Sequence, residues 1–124
     1  MSFLRFHRLL KSFKYAISGF LYALKEEQNF RIHILATIIV VILMFALEVS
    51  KYEAFVLIIS ISLVLIGELV NSVFERIVDI LKPRLHPYAE KVKDMMAAIV
   101  LIASLSSIIL GLWIFVPKIL ALFK

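Results

Sequence analysis

Apolar residues fall along this chain in four blocks, and the polar positions between and within them predict four helical elements. From Met1 to Lys25 the pattern is amphipathic. Arg5, Arg8, Lys11 and Lys14 recur at spacings of three, and Phe6, Leu9, Leu10, Phe13, Ile17, Phe20, Leu21 and Leu24 recur three or four apart. A helix with one basic and one apolar face, lying on a membrane surface over residues 1–27, is expected, with Gly19 allowing a bend. The next block, Ile32 to Leu47, is almost wholly apolar and would extend about 24 Å as a helix, enough to span a bilayer if Arg31 and His33 sit near one interface. A polar break containing Glu48, Ser50, Lys51, Tyr52 and Glu53 follows. The second apolar run starts at Ala54, meets Glu68 and continues to Phe74, so that a span over 54–74 has a carboxylate inside it. Glu75 to Asp94 is charged, with a loop marked by Lys82-Pro83-Arg84 and His86-Pro87. Met95 to Val116 is the clearest span and is expected to end at Pro117.

Composition agrees with lipid as solvent. Of 124 residues 63% are hydrophobic and 19% charged, more apolar surface than a single soluble domain this short can bury. The expected class is therefore an all-α integral membrane protein of one domain. No stretch of the first thirty residues reads as a cleaved signal peptide. The net charge of +5 alone would admit nucleic acid as a partner, but the basic residues flank apolar runs, which fits anionic headgroups and membrane topology instead. Six Lys and Arg precede the first span, one lies between the first and second, five between the second and third, and two follow, which places the amino terminus and residues 75–94 in the cytoplasm. With no cysteine, disulfides, thiolate nucleophiles and Cys-ligated zinc are excluded.

The candidate chemistry lies on the second span. Glu68, Asn71, Glu75 and Asp79 fall within roughly an 80° arc at about 100° per residue, a polar stripe running from inside the apolar run to its charged end. A central charged residue costs about 2.5–3.5 kcal/mol on insertion scales, so a retained carboxylate points to function. Its alternative is interhelical hydrogen bonding that pins packing. Lys93-Asp94, before the third span, offers a phosphate-binding cation, or else an ordinary positive flank. Lys25-Glu26-Glu27 offers a further carboxylate, or else a solvated face. His7, His33 and His86 read first as interface or loop residues, Trp113 and Tyr52 as aromatic-belt residues, and Ser60, Ser62, Ser104, Ser106 and Ser107 as close-packing positions. No glycine-rich phosphate loop is present.

Three strings carry a resemblance: Glu27-Gln28-Asn29-Phe30-Arg31, Glu68 to Glu75 with Val78-Asp79, and Lys91 to Ala98. Over about residues 8–103 the chain resembles the prokaryotic diacylglycerol kinase family, and it is most similar to the undecaprenol kinase branch in reading Asn29-Phe30-Arg31-Ile32-His33. The diacylglycerol branch has Gln and Glu where Ile32 and His33 stand. The resemblance implies a homotrimer with shared sites and phosphoryl transfer from ATP to a membrane lipid alcohol. It implies Glu68 as general base, Glu27 and Glu75 as ligands of Mg2+ on the ATP phosphates, and Asn71, Lys93 and Asp94 as phosphate-positioning groups. It also implies Arg8 and Tyr15 as nucleotide contacts, and Ile32 and His33 as lipid contacts. Undecaprenol is the expected substrate and diacylglycerol the alternative; a non-enzymatic assembly or pore protein is the alternative from another class.

Overall fold

The computed structural model describes residues 5–82 and 87–124. The first four residues of the expected surface helix lie outside the described residues, as do Pro83, Arg84 and His86 of the expected loop. Helix α1 is Phe6–Glu26 and α2 is Gln28–Ala46. Two further helices, Lys51–Lys82 and Pro87–Leu122, are labelled α3 and α4. α2, α3 and α4 are each long and apolar enough to cross a membrane. The fold is thus an all-helical, multi-pass membrane protein with three spans.

Local chemistry sets the corners. Between α1 and α2 only Glu27 leaves helical geometry, at φ −113° and ψ 108°. Arg31 reaches back across this corner and donates to the Leu24 and Lys25 carbonyls at 2.9 and 2.8 Å, supplying partners that the last turn of α1 lacks. Phe30, 0% exposed, meets Phe20 edge-on with ring centroids 5.3 Å apart. The corner is therefore held by both a cation and an aromatic pair.

α2 ends on a Schellman motif built without glycine. Glu48 takes φ 49°, Val49 N–H donates to the Met44 carbonyl at 3.2 Å, and Glu48 N–H donates to that of Phe45 at 3.4 Å. Val49 and Met44 both pack on the core formed by Leu57, Ile114 and Phe115, the apolar contact that usually accompanies this cap. α3 then starts on a capping box. Glu53 N–H donates to Ser50 Oγ at 3.2 Å and Ser50 N–H donates to Glu53 Oε1 at 2.8 Å. The expected polar break accordingly shrinks, because Lys51, Tyr52 and Glu53 already belong to α3.

α3 and α4 pair in opposite directions. Glu53 bridges Lys118 at 3.0 Å, Ser60 and Ser107 hydroxyls meet at 2.5 Å, and Lys93 contacts Asp79 at 2.5 Å. α2 lies antiparallel against α3, with Val40, Leu43 and Met44 on the Leu57 core and His33 opposite Glu68. The serines expected to permit close packing do so at the Ser60–Ser107 crossing. Tyr52 and Trp113 are exposed, as aromatic-belt residues would be.

One expectation needs correction. Pro117 does not end the third span: α4 continues to Leu122. A proline removes one N–H and so leaves unpaired only the carbonyl four residues back, while Lys118, in the very next position, is anchored to Glu53 and carries the helix on. Gly19 lies inside α1, which is continuous from Phe6 to Glu26. Further, α3 spans 32 residues, about 48 Å at 1.5 Å per residue against a hydrocarbon core of about 30 Å. The excess of about 18 Å matches the polar turn at residues 51–53 at one end and the charged stretch at residues 75–82 at the other, so the latter continues the helix past the apolar run.

Candidate active site

The buried residues of α3 fall at Leu57, Ser60, Val64, Glu68, Asn71, Ser72 and Val78, the three-and-four spacing of one helix face. The polar stripe expected from the sequence is therefore this inward face, graded from buried Glu68 and Asn71 through half-buried Glu75 to exposed Asp79. Glu68 is 2% exposed, and its Oε2, like Asn71 Oδ1, has no hydrogen-bond partner among the described residues. His33 on α2 brings Nε2 to 3.5 Å from that same Glu68 oxygen. The carboxylates of Glu75 and Glu27 both lie within Coulombic range of Glu68, and the Asn29 side chain also faces it. His33 and Asn29 thus face Glu68 where α2 and α3 meet near the α1–α2 corner, with Asn71 on the same buried face and the charges of Glu75 and Glu27 acting from further off.

A cation closes the cluster. Arg76 donates from Nη2 to Glu27 Oε1 at 2.7 Å and lies over the Tyr22 ring, 5.0 Å from its centroid. The sequence reading missed Arg76, although one signal was available: it directly follows Glu75 at the end of the apolar run, where a guanidinium suits phosphate or carboxylate. Asn29 and Ser72 were also passed over as site residues. Ser72 was legible only from its place next to Asn71 on the buried face.

Lys93 stands opposite Asp79 rather than beside the buried carboxylate. It donates a hydrogen bond that holds the Asp79 carboxyl below its usual range, beyond the apolar runs. Asp94 is exposed. Ile32 and His33 separate, with Ile32 53% exposed on the outside of α2 and His33 turned to Glu68. Arg8 and Tyr15 are exposed on α1. At 1.5 Å per residue they stand back from Glu27 by about 28 and about 18 Å along the helix, so they do not join the carboxylates of their own chain.

No cluster of three metal-binding side chains occurs among the described residues. The donors here still suit Mg2+, which takes oxygen ligands, commonly one or two carboxylates completed by substrate phosphates and water. Glu27 and Glu75 are oxygen donors whose charges both act on Glu68, and Glu27 already holds a cationic group, the Arg76 guanidinium.

Three apolar spans with a carboxylate cluster toward one end form the layout of a multi-pass membrane enzyme working at the polar end of lipids. The chain belongs to the prokaryotic diacylglycerol kinase family, whose profile matches residues 14–115. It is 35% identical to the undecaprenol kinase of Bacillus subtilis over 90% of this chain and 91% of that one. It is 36% identical to the diacylglycerol kinase of Pseudomonas aeruginosa over 73% of this chain and 74% of the relative. With the diacylglycerol kinase of Escherichia coli K12 it shares 34% identity over 84% and 85% of the two chains. No solved structure matches it. The chain is a lipid kinase, which removes the non-enzymatic alternative.

Proposed function

We propose that the protein transfers the γ-phosphoryl group of ATP to the hydroxyl of a long polyprenol such as undecaprenol, with Glu68 as general base. The observation that carries the catalytic part is Glu68 itself, a buried carboxylate with an unpartnered oxygen, flanked by two further carboxylates where the apolar layer ends. Glu68 takes the hydroxyl proton as the lipid oxygen attacks phosphorus. Glu27 and Glu75 hold Mg2+, which when bound neutralises phosphate charge and aligns the transfer. Asn71 orients the phosphate or Glu68, and Lys93 with Asp94 supports the phosphates from α4. Most of this chemistry is alignment and charge neutralisation, so positions count more than covalent steps.

The lipid assignment rests on α2. Ile32 presents an apolar side chain on the outside of α2, at a position where the family resemblance implies a polar residue in the diacylglycerol branch. A polyprenol brings one hydroxyl and no ester carbonyls, and so needs no hydrogen-bond partner there. Diacylglycerol brings two carbonyls, each costing about 1–3 kcal/mol if desolvated without a partner. The name of the Bacillus subtilis relative supports the same reading. The test is kcat/KM for undecaprenol and for diacylglycerol in the same mixed micelles at saturating MgATP. Undecaprenol should be preferred by tenfold or more; a preference for diacylglycerol would transfer the chain to the other branch and leave the kinase chemistry standing.

The assembly belongs to the same proposal. Arg8 and Tyr15 stand well back from Glu27 along their own α1, which fits a site completed by a neighbouring chain in the homotrimer that the family resemblance implies. α1, basic on one face and apolar on the other, then lies on the cytoplasmic membrane surface, where residues 75–94 also face the cell's ATP.

A further inference from the structure

We propose that His33 is the proton exit for Glu68, carrying to water the proton that each turnover leaves on the buried carboxylate. This role rests on Glu68 being the base. In each transfer the lipid O–H bond breaks and its oxygen forms a bond to the γ-phosphorus. The bond from that phosphorus to the β,γ-bridging oxygen breaks, the oxygen leaves with ADP and keeps the electron pair, and the proton stays on Glu68. Glu68 must lose it before the next lipid can react.

The geometry offers one route. Glu68 Oε2 is sealed from solvent and has no hydrogen-bond partner among the described residues, so no protein group shown there draws the proton away by hydrogen bonding. His33 Nε2 faces this oxygen at 3.5 Å, and its side chain is 23% exposed against 3% for that of Glu68, so the imidazole is the more open of the two groups and lies within two residues of Arg31, near the polar end of α2. Such contacts are commonly long without substrate and shorten when it binds. Thr37 Oγ1 donates to the His33 carbonyl at 2.8 Å, bracing this turn of α2. The other charged groups around Glu68 are poorly suited. Glu75 on α3 and Glu27 at the α1–α2 corner are acids already needed as anions, and Arg76 is held by Glu27. Arg31 on α2 is turned to the carbonyls of α1, and Lys93 on α4 is held by Asp79. An imidazole can accept a proton on one ring nitrogen while releasing one from the other, which none of these groups can do.

The test compares wild type with His33→Gln and His33→Ala in mixed micelles with undecaprenol and MgATP. Glutamine keeps a polar side chain of similar reach but cannot relay a proton. Its first turnover should proceed, giving a burst of about one phosphorylated lipid per site, followed by a steady rate at least tenfold below wild type with KM for MgATP unchanged. Added imidazole should raise the steady rate of His33→Ala and leave that of His33→Gln unchanged. A His33→Gln enzyme with wild-type steady turnover overturns the relay, and so does a slow enzyme with no burst and no imidazole rescue in His33→Ala, which would make His33 a positioning residue. Glu68→Gln, assayed alongside, separates the two claims: if it is inactive while the His33 variants are normal, only the relay fails, and if it is active, the base assignment itself fails.

Discussion

Truncating Phe30 should disable the enzyme without touching any group that carries charge. Phe30 is fully buried at the corner where α1 meets α2, its ring edge-on to Phe20, and it lies three residues from Glu27 and three from His33. Phe30→Ala removes the aromatic pair, about 0.5–1.5 kcal/mol, and leaves a cavity, for a total of about 3–5 kcal/mol in a site that cannot collapse. Part of that loss will surface as movement of α1 against α2, since the Arg31 hydrogen bonds to the Leu24 and Lys25 carbonyls are then the tie left across the corner. A shift of about 1 Å at Glu27 is enough to cost on the order of 100-fold in a reaction governed by alignment. The assay is kcat and KM for MgATP together with an unfolding midpoint in the same detergent, for Phe30→Ala, Phe30→Leu and, as a control, Phe45→Ala, whose ring is 80% exposed. Phe30→Ala should lose stability and raise KM for MgATP, Phe30→Leu should recover most of both, and Phe45→Ala should change neither. A Phe30→Ala enzyme with reduced stability but unaltered KM for MgATP would refute the claim that this corner positions Glu27.

Glu27→Ala and Glu75→Ala should each raise the Mg2+ concentration needed for half-maximal activity more than they change KM for the lipid, as titration of Mg2+ against each variant will show. Ser60→Ala and Ser107→Ala should each cost about 0.6 kcal/mol, the average for interhelical hydrogen bonds in membranes, and a double-mutant cycle followed by unfolding in detergent should show their coupling. Glu53→Ala removes the acceptor for the Ser50 N–H, one half of the α3 capping box, together with the bridge to Lys118, and should lower the thermal midpoint by a few degrees at most while leaving turnover within twofold.

Much of the arrangement was readable because two periodicities coincide. The spacing of Glu68, Asn71 and Glu75 marks a helix face, and the apolar positions Leu57, Val64 and Val78 mark the same face as the buried one. The start of α3 was equally open to reading, since Ser50 and Glu53 stand at capping-box spacing. Pro117 misleads because the rule that proline ends a helix is local, whereas the ion pair from Lys118 to Glu53 comes from a residue far away in the chain. The end of α2 is hidden for a related reason: a glycine would announce the left-handed residue, and here Glu48 takes that conformation with its cap stabilised by packing of Val49 on the core. Partner choice was the least legible feature. Nothing in the spacing tells that Arg76 turns to Glu27, that Arg31 caps α1, or that Ile32 and His33 point different ways, because each depends on how α1 and α2 fold back on α3.

The central claim is that a single buried carboxylate on α3 takes the proton from the lipid. It is tested most directly by the rate of lipid phosphorylation by Glu68→Gln, in mixed micelles with undecaprenol and saturating MgATP, with oligomer size and ATP binding measured on the same sample. An isosteric amide keeps the volume and removes the base, so the rate should fall by about 10²–10⁴-fold with oligomer size and ATP binding unchanged. A Glu68→Gln enzyme that turns over at the wild-type rate would contradict the account.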